Sequence, residues 1–487
     1  MQVTKEIYVG GEWIASTSER EIIVRSPSSE EPVGRVPDAG AEDVDAAVAA
    51  ARRAFDDGPW PRMTPAERGK VMEALARELV ARTDELARTL TTENGTPVML
   101  VRPAQINNAM DVLNYYAELA STVQLEEVRD GKYSPVLVLN EGVGVVAAII
   151  PWNVPLFLAM MKVAPAMVAG CTVVLKAAPE TPLNTYLLAE AAHSAGVPAG
   201  VLNVLAAGPE GSERLVTHPG VDKVAFTGST ETGKRIAGLA SAQLKRVTLE
   251  LGGKSAAIVL DDTDLSVIMP RLVGVVMSLS GQFCTAMSRI LVPRDRYDEA
   301  VQHFAVAVDK LKVGDPFDST SFMGPLVSER QRNRVLGYIE IGKAEGATLV
   351  TGGGVPAGLD KGWYVQPTVF ADVTRDMRIA QEEIFGPVAT LLAYDDEDDA
   401  IAIANDSEFG LHGTVWTNDV EHGVRVARRI KTGTWSVNGL SMDPVAPFGG
   451  MKNSGLGREL GPEGLAAYLE PRTISVPVGT TLNALKE

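Results

Sequence analysis

The stretch Lys223-Val224-Ala225-Phe226-Thr227-Gly228-Ser229-Thr230-Glu231-Thr232-Gly233-Lys234-Arg235 reads as a short apolar strand ending at Phe226, a glycine-rich turn, and the opening of a helix. A turn in that place aims backbone N–H groups and the positive end of the helix dipole at an anion. It nearly completes the phosphate-loop pattern GxxxxGK[ST], but Arg235 stands where that loop needs a Mg²⁺-binding hydroxyl. A plain tight turn is the alternative. A pyrophosphate held without a catalytic metal uses more of the turn's features.

Strand-like runs at 143–150, 171–176, 201–205, 223–226 and 246–251 alternate with helical patterns at 156–169, 183–194, 210–217 and 232–244. Such alternation predicts an α/β fold with a doubly wound parallel sheet, a Rossmann-like dinucleotide-binding domain. A second series, at 255–260, 290–293, 388–394, 413–417 and 434–437, predicts a second α/β domain. Residues 41–55 and 66–90 read as amphipathic helices ahead of the first sheet. Segments 133–138 and 473–478 alternate like exposed edge strands and are expected to pair between subunits.

A chain of 487 residues exceeds one ordinary core, and its formal charge of −17 argues against nucleic acid as a partner. Two cysteines are too few for a disulfide framework and fit a reducing cytoplasmic setting. The N-terminus lacks the apolar run of a secretory signal. Residues 142–161 carry no charge, yet Pro151, Asn153 and Pro155 break the run, so a strand, a loop and a helix are expected there rather than a membrane span. The five histidines have no ligand spacing, and no metal is expected.

Three further places could carry chemistry. Cys284 lies among small and polar residues between a helix and a strand, where loops expose side chains to clefts, whereas Cys171 begins an apolar strand and reads as core. Glu250, in Thr248-Leu249-Glu250-Leu251-Gly252-Gly253-Lys254, is a carboxylate inside an apolar strand. Burial would raise its pKa toward that of a general base, and an ion pair with Lys254 is the competing explanation. Pro151-Trp152-Asn153-Val154-Pro155 stiffens a turn that fixes the Asn153 amide, a potential donor to an oxyanion.

Together with Glu382-Glu383-Ile384-Phe385-Gly386-Pro387 and Pro447-Phe448-Gly449-Gly450, these motifs fall in an order that resembles the aldehyde dehydrogenase superfamily along essentially the whole chain. The resemblance implies a cofactor domain at 1–118 and 142–250, a catalytic domain at 251–448, and an oligomerisation element at 119–141 and 470–487, in a homodimer or homotetramer. It implies that Cys284 is the nucleophile, Glu250 the base, and Asn153 with the Cys284 backbone N–H the oxyanion hole. Lys176 and Ser229 would hold the adenosine ribose and pyrophosphate, and Glu383 and Phe385 the nicotinamide ribose and ring. Trp152, Gly228, Gly233 and Leu251 complete the expected contacts to NAD, with NADP possible because Pro179 stands where strictly NAD-dependent members often carry glutamate. A coenzyme A-acylating semialdehyde dehydrogenase is disfavoured by Glu250, and a catalytically silent homologue by the joint presence of Cys284, Glu250 and Asn153. Leu158, Met161, Phe157 and Phe448 suggest an apolar aldehyde, aliphatic, aromatic or terpenoid, with ordinary core packing as the competing reading.

Overall fold

The computed structural model describes residues 2–480, so Met1 and the last part of the expected C-terminal element, 481–487, lie outside the described residues. Five parallel strands form the centre of an eight-stranded sheet, in the spatial order Leu202–Ala206, Thr172–Ala177, Val145–Ile149, Lys223–Thr227, Arg246–Glu250. Helices pack on these strands, so nearly every strand residue is buried, and the sequence shows apolar runs rather than alternation. The spatial order reverses between Val145–Ile149 and Lys223–Thr227. A crevice for ligands opens beyond the carboxyl ends of two such strands.

The helix Pro155–Ala169 starts in that crevice. All 15 of its residues are buried, which accounts for the uncharged run in the sequence. Pro155 occupies the first turn, where its missing N–H costs no bond, and Gly170 ends the helix at φ 82°. No described helix is long and apolar enough to cross a membrane.

A second sheet runs Thr348–Thr351, Thr368–Ala371, Val388–Tyr394, Arg289–Pro293, Ala256–Val259, Gly413–Trp416, Ser436–Val437, parallel except at its first strand. The edges of the first sheet were not legible in the sequence. A hairpin of Glu6–Val9 and Glu12–Ala15 adds beside Leu202–Ala206, and the two-residue strand Gly455–Leu456 adds antiparallel to Arg246–Glu250. Such short strands carry no periodicity of their own.

Two expectations are corrected. Residues 66–90 form two helices, Pro65–Ala81 and Thr83–Asn94, because Arg82 flattens to ψ 11° and the Thr83 hydroxyl bonds the Val80 carbonyl. Segments 133–138 and 473–478 were expected to pair between subunits. In the chain Leu469–Ser475 pairs antiparallel with Pro135–Gly142, which also pairs with Glu126–Asp130. Pro135–Gly142 is thus paired on both sides within the chain, whereas Leu469–Ser475 keeps one edge free among the described residues.

The break at Arg82 lets Thr83–Asn94 deliver Glu93 to the start of the helix Leu183–Ser194. There its carboxylate accepts from Leu183 N (2.9 Å), Asn184 N (3.1 Å) and Asn184 Nδ2 (2.5 Å) in full burial. Removing the acceptor strands three buried donors. Glu93→Ala is expected to destabilise the protein by about 2 kcal/mol or more. Hydrogen exchange should show the Leu183 and Asn184 amides losing protection; unchanged protection would show that the cap holds nothing.

Candidate active site

A cavity of about 870 Å³ occupies the crevice, walled on one side by Pro151–Val154, Thr227–Ser229 and Leu251–Gly252 and on the other by Phe283–Thr285, Glu383 and Phe385. The structure thus brings together Trp152, Asn153, Gly228, Ser229, Leu251, Cys284, Glu383 and Phe385 of the expected set. Lys176, Gly233 and Glu250 lie outside its walls.

Asn153 is held from two directions. Its side-chain Nδ2 donates to the Gln282 carbonyl at 3.0 Å, which leaves one Nδ2 hydrogen free, and its backbone carbonyl accepts from Asn94 Nδ2 at 3.0 Å. Gln282 is tied in turn by Val327 N, which donates to its Oε1 at 3.0 Å. The loop bearing Val327 abuts the end of Thr83–Asn94: a Cβ on Gly324 would lie 2.1 Å from the Gly95 carbonyl. Gly95 itself has φ 76° and would strike Pro325 if it carried a side chain. These contacts close a ring through Asn94, Asn153, Gln282 and the 324–327 loop.

Cys284 sits in a loop that passes directly over Gly253, where a Cβ would come within 2.5 Å of the Cys284 carbonyl. Its side chain is half-buried and faces the cavity. Burial, reinforced by the Glu250 and Glu383 carboxylates, holds the thiol well above its ordinary pKa. Resting Cys284 is therefore a thiol, and it needs a neighbouring base to become a nucleophile.

Glu250 ends its strand in nearly complete burial, and neither carboxylate oxygen has a hydrogen-bond partner among the described residues. Lys254 does not neutralise it, since Lys254 Nζ is buried and unpartnered as well. Burial raises the Glu250 pKa well above its ordinary value, and Glu459 adds to the shift while Lys162 and Arg458 oppose it. The glycine Gly449, at φ 152°, makes room: a Cβ there would lie 2.6 Å from Glu250 Oε1. Glu459 and Lys162 form a buried pair at 2.7 Å, and Lys162 Nζ also donates to Thr227 Oγ1 at 2.6 Å. The sequence reading passed over both residues. A lone lysine in an otherwise uncharged helix was the available signal for Lys162. Nothing marks Glu459 before the Gly455–Leu456 strand carries its segment beside Glu250.

The cofactor end is built from three elements. Ser229 caps the helix Thr230–Ser241, its Oγ accepting from Thr232 N, and Ser229 and Gly228 line the cavity where that helix starts. Gly228 has no alternative, because a Cβ would meet the Phe226 ring at 2.4 Å. Glu383 accepts from Gly253 N at 2.9 Å through Oε1, and its backbone is gripped by Arg334 from the helix Glu329–Ala344. Phe385 adopts φ 62° and meets Trp152 edge-on at 5.3 Å, with Gln331 Nε2 donating to its carbonyl at 2.7 Å. Gly233 serves packing, since a Cβ there would lie 2.4 Å from Leu251 Cδ2. Lys176 closes its strand in the register opposite Ile149, buried, with its pKa pushed down to about 8 by that burial. A capped helix start, a half-buried carboxylate able to accept from ribose hydroxyls and a buried amine fit a pyridine dinucleotide.

The family model for the aldehyde dehydrogenase family matches residues 13–474. The geranial dehydrogenase of Castellaniella defragrans is 47% identical over 471 residues, covering 96% of this chain and 98% of that protein. A Mycobacterium tuberculosis aldehyde dehydrogenase complexed with NAD⁺ superposes with a TM-score of 0.97 at 49% identity, covering 99% of this chain and 100% of its own. Aldehyde dehydrogenase C of Pseudomonas syringae, a mutant in complex with NAD⁺ and octanal, superposes with a TM-score of 0.95 at 40% identity, 98% of each chain being covered. With sequence and fold matched over nearly its whole length, the chain belongs to the aldehyde dehydrogenase family, the NAD(P)-dependent oxidoreductases that act on aldehydes.

Proposed function

We propose that this protein oxidises an apolar aldehyde to its carboxylic acid through a thioester on Cys284, with Glu250 as the base and Asn153 as an oxyanion donor. The observation that carries the reading is the cavity that brings the Cys284 side chain together with an Asn153 amide bearing one free hydrogen, with the buried carboxylate of Glu250 near enough to raise the thiol's pKa. Glu250 accepts the Cys284 proton, and Sγ bonds to the aldehyde carbon. The oxygen, now an anion, is held by Asn153 Nδ2 and the Cys284 backbone N–H. Bound NAD(P)⁺ supplies the hydride acceptor, with Ser229, Lys176, Glu383 and Phe385 as the groups to hold it. Loss of the hydride leaves the carbon a thioester; with the first proton passed on to solvent, Glu250 takes a proton from the attacking water, the C–S bond breaks, and Glu250 returns that proton to the departing thiolate as the acid leaves.

The wall beyond Cys284 is apolar, with Phe157, Leu158, Met161 and Phe448 facing the cavity. A geranial dehydrogenase and an octanal complex among the relatives support an aliphatic or terpenoid substrate. Among the described residues the outer strands Glu126–Asp130 and Leu469–Ser475 leave one edge each unpaired, as does Ser436–Val437 in the second sheet. Those edges support assembly into a homodimer or homotetramer. The lack of a disulfide framework fits a cytoplasmic setting.

Cys284→Ala is expected to abolish reduced-cofactor formation. Glu250→Gln, read by stopped flow, is expected to give at most one equivalent of reduced cofactor followed by slow turnover. Full steady-state activity in either variant overturns the assignment. Asn153→Ala is expected to lower kcat about a hundredfold or more with cofactor affinity nearly unchanged; an effect confined to cofactor binding places the amide elsewhere.

Cofactor choice follows from Pro179, which puts no charge where it would repel a 2′-phosphate. Glu180 lies near enough to raise the Lys176 pKa against the larger lowering by burial, so one acidic neighbour remains. NAD⁺ is expected to be preferred over NADP⁺ by less than about a hundredfold in kcat/KM, and Pro179→Glu to widen the gap. Because Lys176 carries its charge below a pKa of about 8, relative use of NADP⁺ is expected to fall as pH rises through that value. A gap much wider than a hundredfold in the wild type would show that another group excludes the phosphate.

A further inference from the structure

The helix Leu265–Val276 does not lead straight into the Cys284 loop. After Met277 and Ser278 the chain makes a left-handed turn through three successive residues, Leu279 at φ 50° and ψ 28°, Ser280 at φ 55° and ψ 34°, and Gly281 at φ 68°. Gln282 N donates back to the Leu279 carbonyl at 3.1 Å and closes it. L-residues resist this conformation because Cβ crowds the following carbonyl, and runs of it are rare.

Two of the three residues have a reason to be there. Gly281 lacks a Cβ, and one would lie 2.2 Å from the Gly386 carbonyl. Ser280 is buried, and its hydroxyl donates to the Gly324 carbonyl at 2.8 Å, anchoring the turn to the ring that holds Asn153. Leu279 has neither property. It offers no polar atom to bond locally, which is how Asn and Asp tolerate such a backbone. Its side chain instead lines the cavity and packs on the core cluster that contains Phe157, Leu158 and Met161.

We infer that Leu279 is a specificity-determining residue, held in a strained conformation because its isobutyl group completes the apolar wall that receives the aldehyde chain. The inference rests on the apolar-substrate reading above. It makes a paired expectation that ordinary loop damage does not produce. Asn and Ala both remove the wall, but Asn suits the left-handed backbone and Ala does not, so stability and selectivity separate.

The test compares wild type, Leu279→Asn, Leu279→Ala and Leu279→Met as full-length enzymes. It reads thermal midpoint and the ratio of kcat/KM for octanal to that for acetaldehyde. The Asn variant is expected to melt several degrees above the Ala variant despite its greater polarity, and the octanal-to-acetaldehyde ratio to fall at least tenfold in both. Leu279→Met, which restores apolar length, is expected to bring most of the ratio back. A wild type that does not favour octanal overturns the apolar-substrate reading and this inference with it. A wild type that favours octanal beside an Asn variant that keeps the same ratio overturns this inference alone, as does an Asn variant no more stable than the Ala variant.

Discussion

Three glycines decide how closely the segments around the cavity meet. Gly253 lets the Cys284 carbonyl pass within what would be 2.5 Å of a side chain, Gly281 does the same for the Gly386 carbonyl, and Gly324 for that of Gly95. At each point backbone packs on backbone from distant parts of the chain. A Cβ at any of them would push the Cys284 loop away from the mouth of the first sheet, and the cavity would lose one of its walls. The Cys284 loop, the Asn153 turn and the Glu383–Phe385 segment therefore pack as one unit around the cavity, as the proposed stabilisation of charge in a fixed place requires.

That rigidity carries an electrostatic consequence. Glu250 and Lys254 are removed from bulk water and Cys284 is half-buried, and the carboxylate and the amine are left without hydrogen bonds among the described residues. Burial disfavours each charged form, so Cys284 and Glu250 both hold protons more tightly than in water. The buried Lys162–Glu459 pair stands behind Glu250 with opposing signs, Glu459 raising its pKa and Lys162 lowering it. The proton affinity of Glu250 is thus set by a balance among groups from the helix Pro155–Ala169, the strand Arg246–Glu250 and the segment after Gly455–Leu456. No single neighbour fixes it.

Strain in the left-handed turn at 279–281 belongs to the same economy. A loop pinned at Gly281, Ser280 and Gln282 has little freedom to relax, so the strain at Leu279 persists. Natural chains keep such outliers where the surrounding structure over-determines them. Here the surroundings are the ring around Asn153.

Much was legible in the sequence because it depends on local rules. The buried parallel strands announce themselves as apolar runs, the Phe226–Thr230 turn by its glycine and cap, the helix Pro155–Ala169 by its proline and a single charge, and Cys284 and Glu250 as candidates by their improbable surroundings. The tertiary structure decided what depends on contacts between distant segments. It alone brings Glu459 to Glu250 through a two-residue strand, sets Asn94 and Gln282 on either side of Asn153, leaves Lys254 unpaired, and pairs Leu469–Ser475 with Pro135–Gly142 inside the chain. The reason is range: periodicity and turn chemistry act over a few residues along the chain, whereas the pKa of a buried group and the partner of an edge strand are fixed by whatever the completed fold places beside them.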